Sequence, residues 1–338
     1  MTPSIIPAQS PQAQAAHSLF QQLQSLFVQG LQSLPQNAAA LKAVTWLRDG
    51  GRHGGGLRYS ATDTALFNNT SVNVSQVHYD DQPHKALGSA SALSCIIHPQ
   101  HPLAPSLHLH LSWTEFKSGP AYWRLMADLN PANPTPAQQQ VFEATLQAVA
   151  PSYYAAALAQ GEQYFYIPVL QRHRGLSHFY LEAHHSGDFQ ADYKLAEHFA
   201  EAVLNTYLGL VRSALQQTPS PAQAAQQLAY HSLYLFQVLT LDRGTTSGLL
   251  AHDQNDLGIM GSLPARVDPV LLQSWLPLMP APQDQLLQAI LKILNGSSPF
   301  EVGPTHRQAL AQAVRSHYQR HPEALKLQAT GQVRPPGS

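Results

Sequence analysis

Between His17 and about Leu34, apolar residues Leu19, Phe20, Leu23, Leu26, Phe27 and Leu31 recur at helical spacing, which predicts a first helix. From residue 57 to 114 the pattern shortens to LRYSATDTALF, TSVNVSQVHY, ALSCIIH and SLHLHLSW, which predicts a strand-rich region. Helical spacing returns at about 136–160 and at 190–217, the latter through Leu195, Phe199, Val203, Leu204 and Leu208. A helix at about 221–233 leads into a short predicted strand, YLFQVLTL. Late helices are predicted at about 268–277, 283–295 (stopped by Gly296) and 304–320. RDGGRHGGG (48–56) reads as a turn or flexible loop. The Pro/Gln/Ala/Ser-rich residues 1–16 predict a disordered segment, 17–322 a single domain and 323–338 a tail ending in GQVRPPGS. Strands clustered before mid-chain, with helices around them and no internal repeat, point to α+β rather than alternating βαβ units.

Composition narrows the partners. With 338 residues and 44% hydrophobic content the chain can bury a large core, yet no apolar run approaches the roughly 20 residues of a membrane span. The start, MTPSIIPAQSPQAQAA, lacks the basic and apolar regions of a secretory signal, and the single Cys95 excludes an internal disulfide framework. A soluble cytoplasmic protein is expected. Only 12% of residues are charged and the net charge is −1, so there is no basic stripe for nucleic acid. An anionic ligand must be held by a few placed arginines.

His108 and His110 alternate in SLHLHLSW, so as strand residues they share one face. A metal pair, an acid/base with its neighbour, and two ordinary histidines all fit. With 18 histidines in the chain, one H-x-H is expected by chance about once, so spacing alone does not decide.

Three stretches together resemble the oxygen-dependent coproporphyrinogen III oxidases. TSVNVSQVHYD (70–80) is similar to that family's Gly-Val-Asn-x-Ser-x-Val-His-Gly. HPQHPLAPSLHLH (98–110) is similar to its His-Pro-x-Asn-Pro-x-x-Pro-x-x-His-x-Asn-x-Arg, and LDRGTTSGLLAHDQNDLGIMGSLP (241–264) to Asp-Arg-Gly-Thr-x-Phe-Gly-Leu followed by Ser-Leu-Pro-Pro. Weaker echoes, YWRLMADLNP (122–131) and YFYIPVLQRHRG (164–175), lie between them in order. The resemblance implies a large antiparallel sheet flanked by helices on both faces, assembled as a homodimer. It implies oxidative decarboxylation of two propionates of a reduced tetrapyrrole to vinyl groups, with dioxygen as oxidant and no cofactor required. A divalent metal held by histidines is described for some members.

Carried onto this chain, the resemblance makes Asp242 the acceptor for pyrrole N–H groups, with Arg243 binding a carboxylate or holding Asp242 ionised. It makes His108 a general acid/base and His98, with His108, candidate metal ligands. Ser94, Asp128 and Arg174 match substrate-contact positions, while Asn73 and Ser75 read as supporting a turn or strand pairing. Alone, "DRG" reads as a strand-end turn with a surface ion pair, and only inside the ordered set of stretches does it read as functional. The departures are as specific. The family's Asn and Arg after the histidine are His110 and Ser112 here, and its Gly-Gly-Gly before Asp128 is Arg124-Leu125-Met126, whose side chains fill space the glycines leave open. A Gly-Gly-Arg becomes approximately His252-Asp253-Gln254, and two proposed metal ligands become approximately Val141 or Glu143, and Val169. Two lost arginines correspond to a hundredfold or more in affinity for a tetracarboxylate, at about 1.5–3 kcal/mol per charge-assisted bond, unless Arg124, Arg172 or His110 compensates. Two other readings therefore stand beside the family reaction. One is a paralogue doing oxygen chemistry on a less anionic acid. The other is a non-catalytic tetrapyrrole or metal binder using His98, His101, His108, His110, His184 and His185.

Overall fold

A computed structural model describes residues 5–35, 41–251 and 254–331; the expectations for His252, Asp253 and the last seven residues fall outside these. In chain order the main elements are α1 (Pro11–Gln32), β1 (Lys42–Leu47), β2 (Gly54–Thr62), β3 (Phe67–His78), β4 (Leu87–Pro99), β5 (Ser106–Phe116) and β6 (Tyr122–Asn130). There follow α2 (Pro136–Val149), α3 (Tyr154–Phe165), the short pair β7 (Tyr166–Ile167) and β8 (Arg172–His173), β9 (Ser177–His184), α4 (Phe189–Ala214) and α5 (Pro221–Thr240). The chain closes with α6 (Arg243–Ala251), α7 (Asp256–Ile259), β10 (Arg266–Val267), α8 (Pro269–Ser274), α9 (Gln283–Ile293), β11 (Phe300–Glu301) and α10 (Pro304–Arg320). β1 to β6 and then β9 form one seven-stranded antiparallel sheet in that order, the α+β architecture the sequence predicts.

Period-two alternation splits the sheet into two unlike faces. Val72, Val74, Leu93, Cys95, Ile97, Leu107, Leu109, Leu111, Trp123, Leu125, Ala127, Leu129 and Phe179 all point to one side. There they form a single core with Leu19, Phe20, Leu23 and Phe27 of α1 and Phe199, Val203 and Tyr207 of α4. Trp123 is fully buried, edge-on to Phe20 at 6.0 Å between ring centres and 5.4 Å from Trp113. The other face is polar and meets α5, which has its own core with α9 and α10 through Leu235, Leu239, Leu287, Ile290, Leu310 and Val314.

Several boundaries differ from the sequence reading. Residues 11–16, expected to be disordered, open α1: Ser10 accepts from Ala13 N–H and Pro11 takes the first turn. Leu26, placed on the apolar stripe, is 54% exposed. The single helix read at 136–160 is two, α2 and α3, separated around Pro151. The predicted strand YLFQVLTL continues α5 to Thr240. Every residue from Tyr230 to Thr240 is buried there, so no polar face reveals the helical period. Gly54, Gly55 and Gly56, read as loop, begin β2. Among the described residues no helix is long and apolar enough to cross a membrane.

Candidate active site

The polar face of the sheet floors a cavity of about 610 Å³, within the range of small-molecule sites. Register sets its rows: Asn73 lies opposite Ser94, Ser94 opposite His110, His110 opposite Met126 and Met126 opposite Tyr180. The next row runs Ser71, Ile96, His108, Asp128 and His178. The facing wall comes from Tyr234 and Val238 on α5 and from the α6–α7 region beginning at Asp242. His108, His110, Ser94, Asp242 and Arg243 thus meet at one cavity, whereas Ser112, Asp128, Arg174 and His98 do not line it.

His108 is oriented from behind. Arg174 donates from Nη2 to His108 Nδ1 at 3.2 Å, and a guanidinium has no acceptor, so Nδ1 must accept and the ring proton must sit on Nε2. Burial, and then the Arg174 charge, hold the ring's pKa well below the usual histidine range, so His108 is neutral at pH 7. Arg174 itself is fully buried. It donates Nη2 to Asp128 Oδ2 at 2.5 Å and Nη1 to Gln237 Oε1 at 2.6 Å, and it lies between the rings of Phe165 and Tyr234 at 4.7 and 4.9 Å. His178 Nε2 donates to the Arg174 carbonyl at 2.7 Å, while its Nδ1 meets Glu162 at 2.8 Å. Burial opposes its protonation, but the Glu162 bond and the Asp128 charge outweigh that and raise its pKa. The charges of Arg174 and Asp128 are therefore spent on each other, and the pair acts on the cavity through His108. Gly175 follows at φ +82°, with the space of a Cβ already filled by Asp128 Oδ1, so only glycine lets the chain turn there.

Asp242 stands between the end of α5 and the first residue of α6. Tyr164 Oη donates to its Oδ1 at 2.8 Å and Thr245 N–H to its Oδ2 at 2.7 Å, as at a helix N-cap. Arg243 does not hold Asp242: it faces Glu182 at 3.7 Å and is more than half exposed. Arg124, Tyr122, Tyr180 and Glu182 also line the cavity, and of these four the sequence points only to Arg124, as a substitute cation. The alternation in YWRLMADLN carried the signal, because Tyr122, Arg124, Met126 and Asp128 must share a face. Leu125, by contrast, enters the opposite core.

The residues named for a metal do not fit one. His98 is fully buried; its Nε2 donates to the Ser262 carbonyl at 3.1 Å, so its Nδ1 accepts from Ser106 Oγ at 2.9 Å. No lone pair remains for a cation. His101 binds the Gln217 carbonyl and His184 binds Asp192, leaving only His108 and His110 of the six histidines in the cavity. Among the described residues no three His, Cys, Asp or Glu side chains are grouped to hold an ion.

Similarity to known proteins agrees with this geometry. The family model described as coproporphyrinogen III oxidase matches residues 15–270. The oxygen-dependent coproporphyrinogen-III oxidase of Rickettsia akari (strain Hartford) is 28% identical over 238 residues, 66% of this chain and 83% of that protein. The enzyme of the same name from Rickettsia rickettsii (strain Sheila Smith) is 27% identical over 272 residues, 74% of this chain and 95% of that protein. That from Rickettsia bellii (strain OSU 85-389) is 28% identical over 237 residues. With three-quarters of its length matched, and a cavity assembled from the stretches that match, the chain belongs to the coproporphyrinogen III oxidase family.

Proposed function

We propose that this protein is an oxygen-dependent porphyrinogen oxidase of haem biosynthesis, converting propionate side chains to vinyl groups, in the cytoplasm and as a homodimer. The observation that carries the reading is the meeting of Asp242 and His108 across one cavity, each pre-oriented by buried partners. For each side chain the balance is R–CH2–CH2–COOH plus O2 giving R–CH=CH2, CO2 and H2O2: two electrons leave the propionate and reduce dioxygen to peroxide. Asp242 supplies a fixed carboxylate for pyrrole N–H groups, and it stabilises the positive charge that develops as the electron-rich ring is oxidised. Its geometry is set in advance by Tyr164 and Thr245, so little reorganisation is needed. His108 contributes an Nε2–H donor toward a substrate carboxylate or the reduced oxygen. With Nδ1 taken by Arg174 and its pKa held low by burial, it takes up no further proton at pH 7; it holds one in place.

A single experiment tests the reading. The purified protein is mixed anaerobically with coproporphyrinogen III, oxygen is admitted, and vinyl porphyrin fluorescence and peroxide are followed with and without EDTA. We expect one peroxide per vinyl group and a loss of at least about 100-fold in kcat for Asp242→Asn, the scale of removing one preorganised electrostatic group. Absence of vinyl product from the unmodified chain sinks the proposal.

A further inference from the structure

Four charged side chains reach the cavity, and three of them have partners. Asp242 is held by Tyr164 and Thr245, and Arg243 and Glu182 face each other. Arg124 is different: among the described residues it makes no hydrogen bond or ion pair, and its Nε is buried with nothing to receive its proton. Tyr180, Tyr122, Tyr164 and Glu182 favour its charge through space without bonding to it, and the planar fork of a guanidinium is built for a carboxylate. The other candidates for the family's lost cations fail on position or charge. Arg172 lies exposed on β8 and does not line the cavity. His110 lines it but is uncharged, its pKa pushed down to about 3 by burial and by the Arg124 charge. Arg174 is committed to Asp128.

We propose that Arg124 is the carboxylate-binding residue of this cavity, pairing from β6 with an acid side chain of the substrate. The identity of that acid, a porphyrinogen propionate, rests on the function proposed above. Register adds which arm is meant. Arg124 stands opposite Ser112, two rows along the sheet from the row that joins His108 to Asp128. Four residues of strand span roughly 13 Å. An acid on Arg124 and a group beside His108 therefore belong to different arms of a large ligand, with Met126 and Tyr180 floored between them. Arg124 is in this sense a specificity residue: it selects a ligand with a second acid arm at that reach, while the chemistry proceeds elsewhere.

Binding of the oxidised porphyrins separates the possibilities. Coproporphyrin III and its tetramethyl ester are titrated in the same mild detergent into the wild-type, Arg124→Met and Arg124→Lys proteins, and quenching is followed. We expect the Met variant to bind the free acid at least tenfold more weakly while ester binding stays within twofold. The Lys variant recovers part of the loss, and the ligand-free Met variant melts no lower than wild type. Acid and ester weakening together, or acid binding unchanged in the Met variant, overturns the anchor and leaves the porphyrinogen reading standing. Failure of the wild-type chain to bind either porphyrin overturns that reading, and the anchor with it.

Discussion

His108 shows how a residue's chemistry is set by what stands behind it. In the sequence it is a histidine on the right face of a strand; its tautomer and its lack of charge come from Arg174, 66 positions away. Nothing in the chain near His108 carries that information, so its role was legible only as a position. Arg124 was readable in the same partial way: alternation puts it beside Met126 on the site face, but only the three-dimensional lining shows a cation that no side chain bonds among the described residues. Arg174→Met should cost about 3–5 kcal/mol in urea unfolding, because it strips the buried Asp128 carboxylate of its bonded guanidinium and leaves only His178 nearby, at 3.4 Å. The paired change Asp128→Leu with Arg174→Met should restore much of that stability. A paired variant as unstable as the single one would show that the loss is one of packing and not of charge.

At the scale of elements, long periodic stretches were legible and uniformly buried ones were not. α4 and α10 fall close to their expected bounds, because a polar face marks the period. The second half of α5 has no such face. β9 is buried without a break from Ser177 to Leu181, so burial hides its period, while the alternation in β6 places Arg124 and Met126 on one face only once the stretch is taken as a strand. Capping supplies local checks. Ser220 and Gln223 close a full capping box at the start of α5, so Ser220→Ala should lower stability by about 1 kcal/mol without changing substrate affinity. Gly175→Ala acts on the site itself: the left-handed turn and the Asp128 oxygen both resist a Cβ. The expected result is a displaced Asp128–Arg174 pair and a His108 freed from its Arg174 bond, seen as a histidine resonance titrating at higher pH. An unchanged His108 titration in that variant would argue against the pair's orienting role.

Across the whole molecule, two features go beyond local geometry. The chain continues past the family match at residue 270, and this continuation braces the cavity wall. Arg315 on α10 donates to Leu249 O at 3.0 Å and pairs with Asp256 at 2.5 Å, while Gln328 reaches Thr246 at 2.5 Å. Arg315→Ala should raise the substrate KM more than it lowers kcat and speed hydrogen exchange in α6 and α7. Stability should also depend on pH in a definite direction. His98 and His231 are buried and held neutral, with pKa values far below the unfolded value of about 6.5 and, for His231, pushed to about 3 by burial. The unfolded chain therefore binds more protons below pH 6.5, and stability falls as pH drops from there, approaching about 1.4 kcal/mol per pH unit for each. His178 works oppositely, its stabilisation being lost as pH rises through its elevated pKa. Urea midpoints flat from pH 7 to pH 5 would contradict the buried neutral histidines. The divided sheet has a last consequence, for how such a protein changes over evolutionary time. A single frame of alternation assigns neighbouring residues to separate tasks: Leu125 thickens the core while Arg124 and Met126 re-line the site. Substrate preference can drift on one side while the other keeps the molecule folded, so lineages sharing this scaffold are free to explore new ligands at little structural risk.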